Sequence, residues 1–208
     1  MRRLFRKPST VVRFTKKRLV IAAALLMVAA GAYLLLLLHA PDIYQPKSAK
    51  TWNTPVVHQV TQLTDNRVYI PKLKLNLEYK AGDQRVLRDN LWHRYPEHGD
   101  PEKGGNFVLA GHRFEIGLTP GETARKSPLY HIETLAPGDD IYVDFSGVRY
   151  LYRVTSTFAV KPTQLDLEDV SATPKLTLYT CTIKGPDDGR DVVIAALVQK
   201  NVDPTLQF

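Results

Sequence analysis

Three side chains in this sequence have the chemistry of an acyl-transfer site. Cys181 is the only cysteine and ends the apolar run TLYTC, Arg190 follows nine residues later, and His112 ends a second apolar run, NFVLAGHR. A lone thiol on an exported domain forms no internal disulfide and is open to oxidation, so its presence indicates a use. A thiolate can attack an acyl carbon, an imidazolium can protonate a leaving amine, and a guanidinium can stabilise an oxyanion.

Each of these residues also has a plainer interpretation. A buried cysteine is commonly an inert part of the core, a single histidine is often structural, and Arg190 taken alone would be a solvated loop charge. Their occurrence together at the ends of predicted strands favours catalysis. No acidic residue is evident as a partner that orients His112, so a complete triad is not predicted.

The strand that ends at Cys181 is predicted to present the thiol to a groove. Side chains alternate between the two faces of a strand, so within Lys175–Cys181 the residues Leu176 and Leu178 share a face with Thr180. Cys181 lies on the other face. If the leucines point into the core, the sulfur faces outward, and the short loop Thr182–Gly189 returns the chain to Arg190.

The elements that must position these residues are mostly β-strands. Short apolar or alternating runs between turn signals predict seven or eight strands and hence a closed barrel or a sandwich. Ser146-Gly147 predicts a two-residue hairpin turn. Helical signals are weak: Thr123–Thr134 predicts one short helix and Leu165–Val170 a turn of one. The predicted strands are Val68–Ile70, Leu73–Glu78, Asn106–His112, Asp140–Phe145, Val148–Thr157 with Phe158–Val160 extending or following it, Lys175–Cys181 and Asp191–Lys200.

The N-terminal part of the chain has the composition of a membrane anchor. Residues 19–38 form an uncharged apolar run of 20 residues, and a helix of about 20 residues spans the roughly 30 Å hydrocarbon core of a bilayer. A cleaved signal peptide has a shorter apolar region of about 7–15 residues and small residues at its cleavage site, which LLLLLHAPD does not match. We therefore expect an uncleaved transmembrane helix over Leu19–Leu38.

The charge distribution predicts how this helix is oriented. The formal net charge is +7, yet residues 1–18 alone carry eight Lys or Arg and no acid, so the rest of the chain is close to neutral. The positive-inside rule places this basic tail in the cytoplasm and residues 39–208 outside the cell. The basic character belongs to the tail and does not predict nucleic-acid binding. Residues 39–65, with scattered prolines, are expected to form an extracellular stalk, and residues 66–208 the catalytic domain.

The segment KLTLYTCTIKGPDDGRDVVIAALV resembles the signature of the sortases, the cysteine transpeptidases of bacterial cell surfaces. That signature has a TLxTC strand, a short loop, an arginine and a second apolar strand. GGNFVLAGHR is similar to the family's histidine motif, VYIPKLKLNLEY to its first strands, and PLYHIETLAPGDDIYVDF to the stretch after the histidine. The likeness covers about residues 66–200, in the order of the family.

The resemblance implies a mainly β protein, an eight-stranded sortase β-barrel with one or two short helices. It implies cleavage of a C-terminal LPxTG-like sorting signal between Thr and Gly, through a thioester on the cysteine, and transfer of the acyl group to an amine. By this likeness Cys181 is the nucleophile, His112 the general acid and base, and Arg190 the oxyanion contact. Substrate contacts are expected from Arg190, Thr180 and Ala110.

The resemblance also implies the partners. They are surface proteins that bear a sorting signal, a peptidoglycan precursor amine or a pilin lysine, and the bacterial cell membrane, which the chain crosses once. No cofactor and no nucleic acid are expected. His93 and His98 have the chemistry of metal ligands, but no third residue is a clear candidate ligand, so no metal site is predicted.

The subtype is predicted from two features that pilin-polymerising sortases usually have and that are not found in this sequence. They are a lid with an Asp-Pro-aromatic motif and a second, C-terminal transmembrane segment. Neither is found in residues 39–65 or in the ending NVDPTLQF, which favours a housekeeping-type or class D/E-like enzyme. Three alternatives remain: a pilin-polymerising sortase, a cysteine peptidase that only hydrolyses, and a catalytically silent surface-binding module on the same barrel.

Overall fold

Helix α1 (Lys16–Leu38) confirms the predicted N-terminal apolar helix. The computed structural model describes residues 16–44, 65–164 and 166–202, and in that part of the chain α1 is the one helix long and apolar enough to cross a membrane. Its 23 residues correspond to a length of about 34 Å. The helix begins before the apolar run because lysine and arginine are good helix formers.

The chain divides at Leu37 into two compact units, Met1–Leu36 and Leu37–Phe208, and the second unit holds every described strand. It begins with a short helix, α2 (Ala40–Ile43), which has proline in its first turn, where a missing backbone N–H costs nothing. The predicted stalk thus starts with one helical turn. Residues 45–64 of the stalk and residues 1–15 of the basic tail lie outside the described residues.

Nine strands form one sheet that closes into a barrel. Their order in the sheet is β3-β2-β1-β6-β7-β9-β8-β5-β4, and a further β3–β5 pairing joins the ends. The two-residue strand β4 pairs with β5 alone, so eight strands close the barrel, as predicted. In chain order the strands are β1 (Arg67–Ile70), β2 (Leu75–Ala81), β3 (Leu91–Arg94), β4 (Gly99–Asp100), β5 (Gly104–Ala110), β6 (Asp140–Phe145), β7 (Val148–Val160), β8 (Lys175–Thr182) and β9 (Gly185–Lys200).

The two faces of β8 pack against different clusters, as strand alternation requires. Leu176 and Leu178 are fully buried in the main core inside the barrel. Tyr179 belongs instead to a second cluster with Val108, Ala110 and Val192. The prediction that the leucines of this strand face the core is confirmed.

The predicted hairpin turn at Ser146 and Gly147 is confirmed. Both residues have positive φ, 49° and 80°, the backbone that a type I′ turn needs and whose twist matches that of the flanking strands. From this turn β7 runs without a break to Val160, so Phe158–Val160 extends the strand. Register shifts opposite β9 let this long strand bend around the barrel.

The bounds of the predicted helix Thr123–Thr134 are wrong. The structure has helix α3 (Pro120–Lys126) and a separate 3₁₀ turn at Ile132–Thr134. The hydroxyl of Thr119 accepts a hydrogen bond from the backbone N–H of Glu122 at 3.2 Å, which caps the helix. Proline at position 128 disfavours helical backbone in the residue before it and ends the helix early. The turn expected within Leu165–Val170 is confirmed as a 3₁₀ turn at Asp166–Glu168.

Strand β3 is absent from the sequence prediction because one of its inward residues is a histidine. Leu91 and His93 are both buried, while Trp92 lies partly exposed on the other face, so the apolar alternation is broken. The ring of His93 packs edge-on against Tyr79 and Phe107. Burial lowers the pKa of His93, so the side chain behaves as an aromatic core residue. The second strand also begins later than predicted, because Pro71–Leu73 form a 3₁₀ turn.

Gly111, the residue between β5 and His112, lies where the core leaves no room for a side chain. A Cβ there would lie 2.7 Å from a methyl carbon of Leu91 and 2.7 Å from one of Leu129, and both leucines are fully buried. We predict that Gly111→Ala lowers the free energy of unfolding by about 1–3 kcal/mol, because overpacking forces the core to shift. Urea unfolding of the full chain in detergent measures this change.

Gly121→Ala is the matched control. No atom lies within 4 Å of a Cβ at Gly121, and the residue lies within α3. Alanine is the better helix former, so this variant is expected to be neutral or more stable by up to about 1 kcal/mol. Equal effects of the two substitutions would contradict the packing explanation.

Candidate active site

Strand pairing brings the ends of β5, β8 and β9 together at one rim of the barrel. Strand β8 lies between a parallel β5 and an antiparallel β9. Ala110 is paired with Tyr179, so His112 and Cys181, each two residues further along, lie at corresponding positions. On the other side, Cys181 is the direct cross-strand partner of Arg190. The thiol therefore lies between the imidazole and the guanidinium.

All three candidate residues project from the outer face of the barrel. Cys181 lies on the face opposite to Leu178, and directly opposed residues share a face with Cβ atoms about 4.5–5.5 Å apart. Arg190 therefore lies beside the sulfur. Gly111 faces the core, so alternation turns His112 outward as well. The three side chains are half-buried, and the thiol of Cys181 is free.

The loop between β8 and β9 fixes one edge of the Arg190 guanidinium. Nη1 of Arg190 donates to the carbonyl oxygens of Pro186 at 2.7 Å and Gly189 at 2.9 Å. The hydroxyl of Thr182 donates to Asp188 at 2.7 Å, which holds the other arm of the loop. The predicted loop Thr182–Gly189 is shorter in the structure, because Thr182 pairs with Gly185 across a tight turn and the remaining residues bulge from β9.

His112 has an acidic neighbour that the sequence analysis missed. Nε2 of His112 lies 2.9 Å from Oε2 of Glu115, and Lys126 lies 3.3 Å from the other oxygen of the same carboxylate. The backbone N–H of Glu115 donates to the hydroxyl of Ser127 at 3.1 Å, which ties this turn to the end of α3. A carboxylate three residues after the histidine is a signal that the sequence did contain.

A second group of charges lies behind the three candidate residues. Arg113, next to His112, is only 7% exposed; its guanidinium lies 2.7 Å from Asp191 and 2.5 Å from Glu133. Asp191 follows Arg190 and is paired in register with Thr180 of β8. The ion pair thus crosses the end of the cysteine strand on its inner side. It joins the residue after the histidine to the residue after the arginine.

Of the two further residues expected to contact substrate, Ala110 and Thr180 lie on different faces. Ala110 belongs to the outer cluster with Tyr179. Thr180 shares the inward face of Leu178, is 1% exposed, and its hydroxyl has no hydrogen-bond partner among the described residues. Ala110 therefore lies on the outer face but is only 6% exposed, whereas the side chain of Thr180 points to the inner face.

The outer surface beside the thiol is held by a buried polar network. The hydroxyl of Tyr179 donates to the carboxylate of Glu168, and Nε of Arg94 lies 2.8 Å from the same carboxylate oxygen. Burial, reinforced by the hydrogen bond to Glu168, raises the pKa of Tyr179 above its usual range, so the phenol stays protonated. The network fixes the segment between β7 and β8 as one wall of this surface.

The two histidines considered as metal ligands are both engaged elsewhere. Nε2 of His93 lies 3.2 Å from the carbonyl oxygen of Gly99. His98 stacks on Tyr95, and its Nδ1 lies 2.6 Å from the carbonyl oxygen of Glu168. Within the described part of the chain no group of three or more His, Cys, Asp or Glu side chains is arranged to hold a metal ion.

The fold and the arrangement at its rim define a known class of proteins. The Sortase domain profile matches residues 68–198, a span that contains Cys181, His112 and Arg190. The chain therefore belongs to the sortase family, whose members are transpeptidases, as its motifs predicted.

Several relatives belong to class E. Sortase SrtE1 of Streptomyces coelicolor is 30% identical over 151 residues, which is 64% of this chain and 40% of that protein. This chain thus spans about two fifths of the length of that curated relative.

Solved sortases of several classes are similar to this chain. Sortase E1 from Streptomyces coelicolor with a tripeptide in its active site is 25% identical with a TM-score of 0.52, covering 66% of this chain and 89% of that one. Sortase E from Streptomyces avermitilis is 26% identical with a TM-score of 0.53, covering 65% of this chain and 88% of that one. Listeria monocytogenes sortase A, at 23% identity and a TM-score of 0.55 over 65% and 88% of the chains, shares the fold.

The ion pairs of Arg113 predict a stability effect next to His112. Arg113→Met removes a guanidinium that is only 7% exposed together with its ion pairs to the partly exposed carboxylates of Asp191 and Glu133, and hydrogen bonds to charged groups contribute more than neutral ones. We expect the free energy of unfolding of the full chain in detergent to fall by about 1–3 kcal/mol.

Arg153→Met is the control for this prediction. Arg153 is also paired with one carboxylate, that of Asp140 at 2.8 Å, but is 47% exposed. Exposed pairs contribute about 0–1 kcal/mol. If the two variants lost equal stability, the buried pair beneath the cysteine strand would have no special structural role.

Proposed function

We propose that this chain is a membrane-anchored sortase that cleaves an LPxTG-like C-terminal sorting signal and transfers the acyl group to a cell-wall amine. The observation that carries the proposal is the strand register of β5, β8 and β9, with Cys181 between His112 and Arg190 on one outer face. The family to which the chain belongs supports the reaction class.

In the first half-reaction, Sγ of Cys181 forms a bond to the carbonyl carbon of the Thr–Gly peptide in the sorting signal. His112 holds the thiol proton and passes it to the glycine amine as the C–N bond breaks. The product is a thioester between Cys181 and the threonine carbonyl. In the second, an amine attacks this thioester, its proton goes to His112, and the C–S bond breaks to release the thiolate, which is then reprotonated.

Arg190 is proposed to stabilise the oxyanion of both tetrahedral intermediates. Its Nη1 is held by two carbonyl oxygens of the loop, which orients the guanidinium. Nε and Nη2 make no hydrogen bond among the described residues and are therefore available to a substrate oxygen. Preoriented donors of this kind stabilise developing charge without having to reorganise.

Glu115 is proposed to support His112 as the orienting carboxylate. A carboxylate 2.9 Å from the imidazole can hold the ring in one orientation during proton transfer. Lys126 bridges Glu115 and Glu122 and so limits the movement of that carboxylate.

The location follows from helix α1 and the basic tail. We propose that residues 1–18 are cytoplasmic, residues 19–38 cross the bacterial cell membrane once, residues 39–65 form a stalk, and residues 66–208 act outside the cell. The positive-inside rule supports this orientation. Substrates are then surface proteins bearing a sorting signal, and the acceptor is a peptidoglycan precursor amine. The alternative acceptor is a pilin lysine, which a pilin-polymerising sortase would use.

The proposal is tested with the full-length protein in detergent and peptides that carry LPxTG-like signals. Intact mass spectrometry is expected to detect an acyl-enzyme whose adduct maps to Cys181, and chromatography to detect an amine-linked product. Cys181→Ala abolishes both. His112→Ala lowers the rate about 10²–10⁴-fold, because general acid–base catalysis is lost.

Three results would contradict this prediction. The absence of any adduct with all peptides would indicate a catalytically silent binding module. Release by water alone, with no amine-linked product, would indicate a hydrolysing cysteine peptidase. Near-normal turnover in a folded His112→Ala protein would remove His112 from the mechanism.

Arg190→Lys is predicted to be far less active than its retained charge suggests. Lysine can still reach a loop carbonyl, but it lacks the planar fork that holds the loop with one nitrogen while donating to substrate with another. Losing an oxyanion donor costs on the order of 10²–10³ in rate. Comparison of kcat/KM for Arg190→Lys and Arg190→Ala on one sorting peptide measures the effect. A lysine variant within a few-fold of wild type would mean that Arg190 acts through charge or loop structure alone.

A further inference from the structure

A charged cavity lies beside His112, on the side away from Cys181. Its volume is about 590 Å³, and its walls come from the segment between β2 and β3, from α3, and from the turn that holds His112 and Glu115. The strand order around the barrel is β2-β3-β5-β8-β9 on this side. His112, which follows β5, therefore separates this cavity from the surface that holds Cys181 and Arg190.

Most charges in the cavity wall neutralise one another. Arg85 is paired with Asp83 at 2.6 Å. Lys126 lies 3.3 Å from Glu115 and 3.2 Å from Glu122. These pairs fix the wall, and they keep one carboxylate next to the imidazole.

Two arginines of the wall lack such partners. Arg88 and Arg125 are exposed, line the same cavity, and form neither a hydrogen bond nor an ion pair among the described residues. Asp89 is an acid of the lining that also forms no ion pair within the described part of the chain, and the lining as a whole has four cationic side chains and three acidic ones. Two guanidinium groups that line one cavity can bind a carboxylate through charge-assisted hydrogen bonds. The nearby carboxylates of Glu115 and Glu122 repel anions, and they repel an anion of higher charge more strongly.

We propose that this cavity binds the acceptor of the second half-reaction, and that the preferred acceptor is an amine with a carboxylate beside it, as in an amino acid. The proposal rests on the transpeptidase function proposed above. During deacylation the attacking amine must come within hydrogen-bond reach of His112, which takes its proton. A carboxylate on the same small molecule then lies in the cavity, where Arg88 and Arg125 attract it.

The two sides of His112 differ in polarity. On the Cys181 side a buried apolar cluster of Ala110, Tyr179 and Val192 lies on the outer face of the strands. The cavity side carries charge. In the transfer step the amine nitrogen bonds to the thioester carbon, the C–S bond breaks with its electron pair on Sγ, and the amine proton passes to His112. The carboxylate of the acceptor takes no part in the chemistry and contributes only binding.

The experiment uses the full-length protein in detergent and a sorting peptide that forms the acyl-enzyme. Glycine, glycinamide and aminomethylphosphonate are compared as acceptors, with rates of amine-linked product expressed per unit of unprotonated amine. We expect glycine to exceed glycinamide by about three- to ten-fold, the range for one or two exposed charge contacts. This preference is expected to fall as salt is raised, because exposed charges are screened.

Variants then assign the preference to the cavity. The double substitution Arg88→Gln/Arg125→Gln is expected to bring the rate with glycine down to that with glycinamide. Arg153→Gln removes an arginine from the β6–β7 pair and is expected to leave the glycine preference intact. Formation of the acyl-enzyme, read by mass spectrometry, reports on the first half-reaction separately.

The outcomes separate the two proposals. Normal acylation with equal rates for glycine and glycinamide, or a glycine preference that survives the double substitution, overturns the acceptor site alone. A higher rate with aminomethylphosphonate than with glycine overturns the assignment to a carboxylate. Failure to form an acyl-enzyme with any peptide overturns the proposed transpeptidase function, and the acceptor site with it.

Discussion

The parallel pairing of β5 with β8 is the interaction on which the rest of the site depends. A slip of one residue would turn Cys181 inward, because side chains alternate between faces. A buried polar contact sets the register: the hydroxyl of Thr177 donates to the side chain of Asn106 at 2.7 Å. The amide of Asn106 also donates to the carbonyl oxygens of Leu167 and Asp169. A register shift would leave these buried groups without partners, which costs more than an apolar mismatch.

Strand alternation also explains why the rim presents the proposed catalytic residues on its outer side and an ion pair on its inner side. His112 and Arg190 face outward, so the residues that follow them, Arg113 and Asp191, face the opposite way. Their ion pair crosses beneath the end of β8. The strands on either side of the cysteine strand are therefore tied together by an ion pair on the face opposite to the thiol.

Much of the fold could be predicted from the sequence, and so could the positions of Cys181, His112 and Arg190 at strand ends, because local patterns determine both. The alternation of side chains along β8 predicted the face on which Cys181 lies, and the dipeptide Ser146-Gly147 predicted the hairpin turn before β7. What was missed depends on distant partners. Arg113 and Asp191 are 78 residues apart, and no local pattern joins them. The third strand of the barrel was not predicted, because His93 occupies a core position where an alternating apolar pattern would have an aliphatic residue.

The two sides of His112 also differ in how firmly they are held. On the side of the thiol, Asn106, Glu168 and Tyr179 connect the wall to the barrel through buried hydrogen bonds, which salt hardly screens. On the other side the wall is built from exposed ion pairs and unpaired arginines. Exposed charges are weakly coupled and screened over a Debye length of about 8–10 Å at ordinary ionic strength. The wall on the thiol side is therefore fixed by buried hydrogen bonds, whereas any binding to the charged cavity proposed for the acceptor depends on the ionic strength.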